Sequence, residues 1–273
     1  MTLLPLTSLP RSGSTLLMSI LGQNQKFHLG DDSELGNLLN HNKQFMIDNI
    51  HHFQLPHEVA SECFYEFCRK GSEAWISNII PEGKIFLDKS RHWLKDLDYF
   101  FNVFPDIKII INIRDLRGIV NSFEKIHNNS LFIDRNSFYN QLNFDLQMQR
   151  VNNILNFGYL KDGLISLKEI IDIPKRYKDR IFICKYEKLL EDPVEEIGKI
   201  YEFLELPVYK HNFDEIEQEP YNDNPYQPYG CHKIKPKVER YVENFSDLRP
   251  DISDMIINEY KWYYDIFYRE VIN

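Results

Sequence analysis

Residues Ile107-Lys108-Ile109-Ile110-Ile111-Asn112-Ile113 are almost continuously apolar and β-branched. The run lacks the alternation of a strand with one wet face and reads as a central parallel strand covered on both sides. Leu3 to Leu9, Lys84 to Asp88 and Arg180 to Cys184 read as three more buried or part-buried strands. Helical stretches lie between and beyond them. One follows Thr15. A long one runs from His57 to Ile79, with Val59, Phe64, Phe67, Ala74 and Trp75 near helical spacing. Others cover Trp93 to Phe104, Ile119 to Phe123, 135 to 160, and Leu164 to Tyr177, where Pro174 bends or ends the helix. Asp192-Pro193 opens another as N-cap and first-turn proline, running to about Leu206. Gln23 to Gly30 reads as a polar loop before a helix near Ser33, which Asp31 or Asp32 would cap. Strand–helix alternation implies a single α/β domain with a central parallel sheet flanked by helices. Its core spans residues 1–206, and 207–273 add a long loop to Pro236 and a terminal helix near Asp251 to Tyr268.

The formal net charge of -9 argues against a nucleic-acid surface, which needs a basic face. The N-terminal apolar run lacks a basic leader and is broken by Pro5 and Pro10, and no stretch approaches about 20 apolar residues. The expectation is a cytoplasmic protein with no membrane partner. Cys63, Cys68, Cys184 and Cys231 show no CxxC spacing and read as reduced thiols, mostly small buried hydrophobes. His51-His52 and the acidic run Asp214 to Glu219 have no metal-site spacing and read as solvated surface, so no metal is expected.

Function gathers where the first strand ends. Pro10-Arg11-Ser12-Gly13-Ser14-Thr15-Leu16 joins it to the apolar residues of the first helix. A helix start directs unpaired N–H groups and a positive dipole end at this turn. Ser12, Ser14 and Thr15 add hydroxyls, Gly13 permits close backbone approach, and Arg11 adds a permanent charge. The turn reads as an anion cradle. It is not a triphosphate loop of the form G-x-x-x-x-G-K-[ST], because Ser14 follows Gly13 and Ser8 stands at the first glycine.

Ligands of parallel sheets bind beyond the carboxyl ends of the strands. Those ends carry Arg11, then Lys89-Ser90-Arg91, then Arg114-Asp115 with Ser122 following, then Lys185-Tyr186. Cations gathered at one edge of an acidic protein favour a multiply charged anion.

These motifs resemble the sulfotransferase family, closest in pattern to its tyrosylprotein and bacterial-type branches. Pro10 to Leu16 is similar to the family's 5′-phosphosulfate loop. Ile113-Arg114-Asp115 through Gly118 to Ser122 is similar to its 3′-phosphate motif, an arginine after a buried strand and a serine eight residues later. Asp88-Lys89-Ser90 falls between them in the family order. The resemblance implies 3′-phosphoadenosine 5′-phosphosulfate as donor, a metal-independent in-line transfer of its sulfuryl group, and a hydroxyl or amine acceptor. Arg11 and the rest of the loop would hold the phosphosulfate, and Arg114 and Ser122 the 3′-phosphate. Lys89 would act on the leaving side, and Tyr186 would contact the adenine. Lys233 and Lys235 resemble a loop that covers the 3′-phosphate.

The general base stays open among three residues. Asp32 is where an ungapped count puts the tyrosylprotein glutamate, Glu34 is the nearest alternative, and His92 follows the cytosolic enzymes' histidine position, here Arg91. The acceptor (small molecule, glycan, lipid or peptide) carries no readable signature. Two other readings compete. A kinase or other NTPase would offer only Asp115 as a magnesium ligand, and a nucleotide-binding protein without turnover would not need Lys89 or Asp32.

Overall fold

Five strands form one all-parallel sheet in the order β2-β3-β1-β4-β5, built from β1 (Leu3–Ser8), β2 (Phe27–Asp31), β3 (Ile85–Lys89), β4 (Ile109–Ile113) and β5 (Ile181–Lys185). The structure is a computed structural model and describes residues 2–31, 33–52, 56–129, 146–217, 234–240, 242 and 244–272. The helices are α1 (Ser14–Gly22), α2 (Leu35–Asn49), α3 (His57–Ile79), α4 (Leu97–Val103), α5 (Leu116–Asn129), α6 (Gln147–Asn156) and α7 (Gly158–Glu169). They continue with α8 (Lys175–Lys178), α9 (Tyr186–Glu191), α10 (Pro193–Leu204), α11 (Pro250–Glu259), α12 (Lys261–Phe267) and α13 (Arg269–Ile272).

β4 divides its side chains between two cores, as a pleated strand covered on both faces must. Ile109, Ile111 and Ile113 join Phe100, Leu155, Ile252 and Tyr263 on one face. Ile110 joins Leu17, Ile20, Ile200 and Tyr201 on the other. The chain runs from β1 to β2, back through β3, and then across β1 to β4. The carboxyl ends of β3, β1 and β4 therefore flank the point where the winding changes direction, where α/β sheets bind ligands.

The structure corrects several sequence expectations. The stretch read as a polar loop contains β2, a fifth strand. It is an edge strand paired only with β3, so it needs little apolar sequence, and Gly30 lies under the Phe86 ring where a Cβ would not fit. Asp31 is the last residue of that strand, and α2 starts at Leu35 with Glu34 in the N-cap position; the first-turn N–H of Leu35 is taken by Ser33 Oγ at 3.2 Å. α3 has the expected bounds, but its buried line is Ala60, Cys68, Ser72 and Ile76, while Phe67 is 67% exposed.

The single helix expected over Trp93–Phe104 is two elements. A 3-10 turn at Arg91–Leu94 is tied to β3 by Trp93 Nε1 donating to Asp88 Oδ2 at 2.8 Å. Asp96 then starts α4 afresh, its Oδ1 accepting the Tyr99 N–H at 3.0 Å. Leu164 to Tyr177 divides among α7, a 3-10 turn at Ile170–Asp172 and α8. The terminal helix breaks at Tyr260 and Tyr268. Cys63 is exposed, unlike the buried Cys68 and Cys184. The expectations for residues 135–145, 218–233 and Cys231 lie outside the described residues.

Candidate functional site

The turn after β1 is stapled to β4 before it reaches any ligand. Leu9 N–H donates to the Asn112 carbonyl at 3.2 Å, and Ser12 Oγ donates to the carbonyls of Leu9 at 2.5 Å and Asn112 at 3.1 Å. The Asn112 side-chain amide returns a bond to the Ser12 carbonyl. Asn112 is fully buried inside a run of isoleucines, and its side-chain N–H and main-chain carbonyl fix the turn, while its Oδ1 has no hydrogen-bond partner among the described residues. Asn112 is a site-shaping residue that the sequence reading passed over. Its signal was available, as one of two polar residues in the apolar run.

Within the turn, Arg11 takes the left-handed conformation at φ 60 and Gly13 at φ 84. That conformation disfavours side chains with a Cβ, yet Arg11 adopts it. An added Cβ on Gly13 would also lie 2.7 Å from Tyr186 Cε2, so the Tyr186 ring lies directly against the turn. Ser8 Oγ donates to Ser14 Oγ at 3.0 Å, linking the end of β1 to the first turn of α1. Ser12, Pro10 and Leu16 are buried, while Arg11, Gly13, Ser14 and Thr15 remain partly exposed.

Two further strand ends meet this turn. From α5, Ser122 Oγ accepts Arg11 Nε at 3.0 Å. From the end of β4, Arg114 Nη1 donates to the Arg11 carbonyl at 3.0 Å, and its guanidinium lies 4.5 Å above the Tyr186 ring. Arg114 Nε is buried and has no hydrogen-bond partner among the described residues. From the end of β3, Lys89 Nζ donates to Thr15 Oγ1 at 3.3 Å. Thus Arg11, Ser14, Thr15, Lys89, Arg114, Ser122 and Tyr186 converge around one turn at one sheet edge.

The Arg114–Asp115 junction is held with equal care. Asp115 Oδ1 accepts the Arg117 N–H at 2.9 Å and so caps α5, and Arg117 Nη2 pairs with Oδ2 at 2.6 Å. Tyr264 donates to Asp115 Oδ1 at 2.9 Å, Tyr263 to the Arg114 carbonyl at 2.8 Å, and the Asp115 N–H to Glu187 Oε1 at 3.0 Å. Tyr268 donates to Glu187 Oε2 at 2.8 Å. Burial pushes the Glu187 carboxyl above its ordinary pKa, against the lowering effect of the Asp115 amide and the Tyr268 hydroxyl. The same burial raises the Tyr263, Tyr264 and Tyr268 phenols, which stay protonated donors. These tyrosines also escaped the sequence reading.

Residues 5–210 match the family described as the sulfotransferase family, three quarters of the chain. The chain belongs to that family. Its sulfotransferase fold also resembles the solved sulfotransferase domain from the curacin biosynthetic pathway, at 12% identity and a TM-score of 0.55, covering 95% of this chain and 97% of that one. A sulfotransferase from Alicyclobacillus acidocaldarius gives 13% identity, 80% and 86% coverage and a TM-score of 0.49. The sulfotransferase domain of a Synechococcus olefin synthase gives 17%, 76%, 74% and 0.47. No curated protein sequence matched. Sulfuryl transfer is therefore the chemistry of this enzyme class, and an NTPase is set aside; the Asp115 carboxylate is moreover already engaged by Arg117 and Tyr264.

The remaining sequence candidates of this sulfotransferase are spread more widely. Asp32 and Lys233 lie outside the described residues. Glu34 precedes α2 with φ 60 and accepts Asn37 Nδ2 at 2.7 Å in an exposed position. The register Asp31↔Lys89 puts the carboxyl end of β2 at the same sheet edge as Lys89. His92 lines a cleft with Ser8, Arg91, Lys95, Tyr159 and Asp162, where the Arg91 guanidinium lies 5.0 Å above the Tyr159 ring. Lys235 is exposed and pairs with Glu239. Among the described residues there is no group of three or more His, Cys, Asp or Glu suited to a metal, and no helix long and apolar enough to cross a membrane.

Proposed function

We propose that this sulfotransferase takes its sulfuryl group from 3′-phosphoadenosine 5′-phosphosulfate and passes it to a hydroxyl or amine. The observation that carries this reading is the 3.0 Å bond from Arg11 to Ser122, which joins the phosphosulfate-type loop to the 3′-phosphate-type motif. A donor with two separated anionic groups needs two cradles in fixed relation. Residues 10–16 would hold the phosphosulfate, and Arg114 with Ser122 the 3′-phosphate. The buried Arg114 Nε still has a donor to offer, which fits such an anion. Tyr186, with one ring edge against the turn and Arg114 over its ring, would contact the adenine.

The bound donor would supply an activated sulfuryl group. The chain would supply orientation and preorganised positive charge, with Arg11, Lys89 and the α1 amides directed at the leaving side. Asp32 remains our choice of general base, with Glu34 and His92 as the alternatives, and Lys233 and Lys235 our choice for covering the 3′-phosphate. Free thiols at Cys63, Cys68 and Cys184 suit a cytoplasmic enzyme.

Titration calorimetry with the donor's product, 3′-phosphoadenosine 5′-phosphate, tests the reading. It should bind far more tightly than ADP, and equal affinities would remove the assignment. An acceptor screen with radiolabelled donor across phenols, sugars, lipids and peptides then addresses the second substrate.

A further inference from the structure

The Arg114–Asp115 peptide is gripped on both sides by side chains from elsewhere in the fold. Its carbonyl accepts from Tyr263 of α12 at 2.8 Å, and its N–H donates to Glu187 of α9 at 3.0 Å. Tyr263 is fully buried, its ring is stacked with Tyr268 at 5.7 Å between centroids, and Tyr268 in turn holds the second oxygen of Glu187. Backbone groups at the end of a parallel strand have left the sheet ladder and need other partners. Here those partners also fix the plane from which the Arg114 side chain departs. From that plane Arg114 reaches the Arg11 carbonyl and covers Tyr186.

We infer that Tyr263 and Glu187 are positioning residues for nucleotide selection: by clamping the Arg114–Asp115 peptide they hold the Arg114 guanidinium where it discriminates a 3′-phosphorylated nucleotide from one without that phosphate. The inference rests on the assignment of Arg114 to the 3′-phosphate. Neither residue need touch the ligand. Removing the phenol hydroxyl leaves a buried carbonyl unpaired and lets the peptide plane turn, so Arg114 loses its aim by more than the cradle at residues 10–16 shifts, because Ser12 and Asn112 staple that cradle to β4 independently.

The experiment compares calorimetric affinities of the full chain for 3′-phosphoadenosine 5′-phosphate and adenosine 5′-phosphate. In Tyr263→Phe the first should weaken about tenfold, the size expected for one buried partner lost, and the second by less than about twofold. In an Arg114→Ala background, Tyr263→Phe should add almost nothing to the loss of preference. Glu187→Ala should repeat the selective loss, and Glu187→Gln, which keeps an oxygen toward the Asp115 amide, should restore it; this pair decides the matter if Tyr263→Phe does not fold. Equal weakening of both ligands, or none, in these variants would overturn the inference and show a merely structural role. A wild-type chain that binds both nucleotides equally would instead remove the 3′-phosphate assignment, and this inference with it.

Discussion

Arg11 Nε and Ser122 Oγ lie 3.0 Å apart although 111 residues separate them in the chain. The bond makes the turn after β1 and the first half of α5 a single unit. A displacement of either cradle is therefore felt by the other, and substitutions at one end should be read with ligands that report on both.

Arg114→Ala should abolish most of the preference for 3′-phosphoadenosine 5′-phosphate over ADP. A charge-assisted bond to a phosphate is worth about 1.5–3 kcal/mol, so the affinity ratio should fall roughly 10- to 150-fold. Calorimetry on the variant reads this directly, and an unchanged ratio would move the 3′-phosphate site elsewhere.

Gly13→Ala should destabilise the fold and weaken nucleotide binding together. The left-handed backbone at φ 84 costs an alanine about 1 kcal/mol or more, and its Cβ meets the Tyr186 ring. Thermal denaturation should show a midpoint lowered by several degrees. Adding Tyr186→Ala should recover the part due to the clash and leave the backbone part; an unaltered midpoint in the single variant would contradict the turn geometry.

Lys89→Met should lower kcat about a hundredfold, as the loss of a group stabilising developing charge does, with product-nucleotide affinity changed only a few-fold. Its 3.3 Å contact to Thr15 sets it beside the turn. Turnover that survives the substitution would reduce Lys89 to an ordinary residue at a strand end.

Glu187→Gln should change how stability depends on pH. The folded-state pKa of Glu187 is raised above the ordinary 4.5, chiefly by burial. Between the unfolded and folded values the native state binds more protons than the unfolded one, so this group's contribution is complete below about 4.5 and is lost as pH rises through the folded value. The melting temperature of the wild type minus that of the glutamine variant should therefore be largest in acid and shrink toward neutrality. A difference growing with pH would reverse the assigned shift.

Much of this architecture could be read from the chain because its decisive features are local. The isoleucine run of β4, the Pro10–Leu16 turn and the Asp192-Pro193 start of α10 each carry a physical signature within a few residues. β2 did not, since an edge strand with Gly30 beneath the Phe86 ring looks like any polar linker. The gathering of Arg11, Lys89 and Arg114 at one edge followed from the strand-end rule alone. The staple from Asn112 and the phenols of Tyr263, Tyr264 and Tyr268 did not, because a buried hydroxyl on an aromatic-rich helix is indistinguishable from plain core until its partner is known.

The bond between Tyr263 and Arg114 spans 149 residues, and this distance has a consequence for biosynthesis. At about 5–20 residues per second, a ribosome needs on the order of ten seconds after adding Arg114 before it adds Tyr263. For part of that interval β1, β3 and β4 can already be paired while the arginine loop still lacks the Tyr263 side of its clamp. Such distant contacts form late and fold slowly. The nascent chain should therefore acquire its sheet well before it acquires the ability to tell one nucleotide from another.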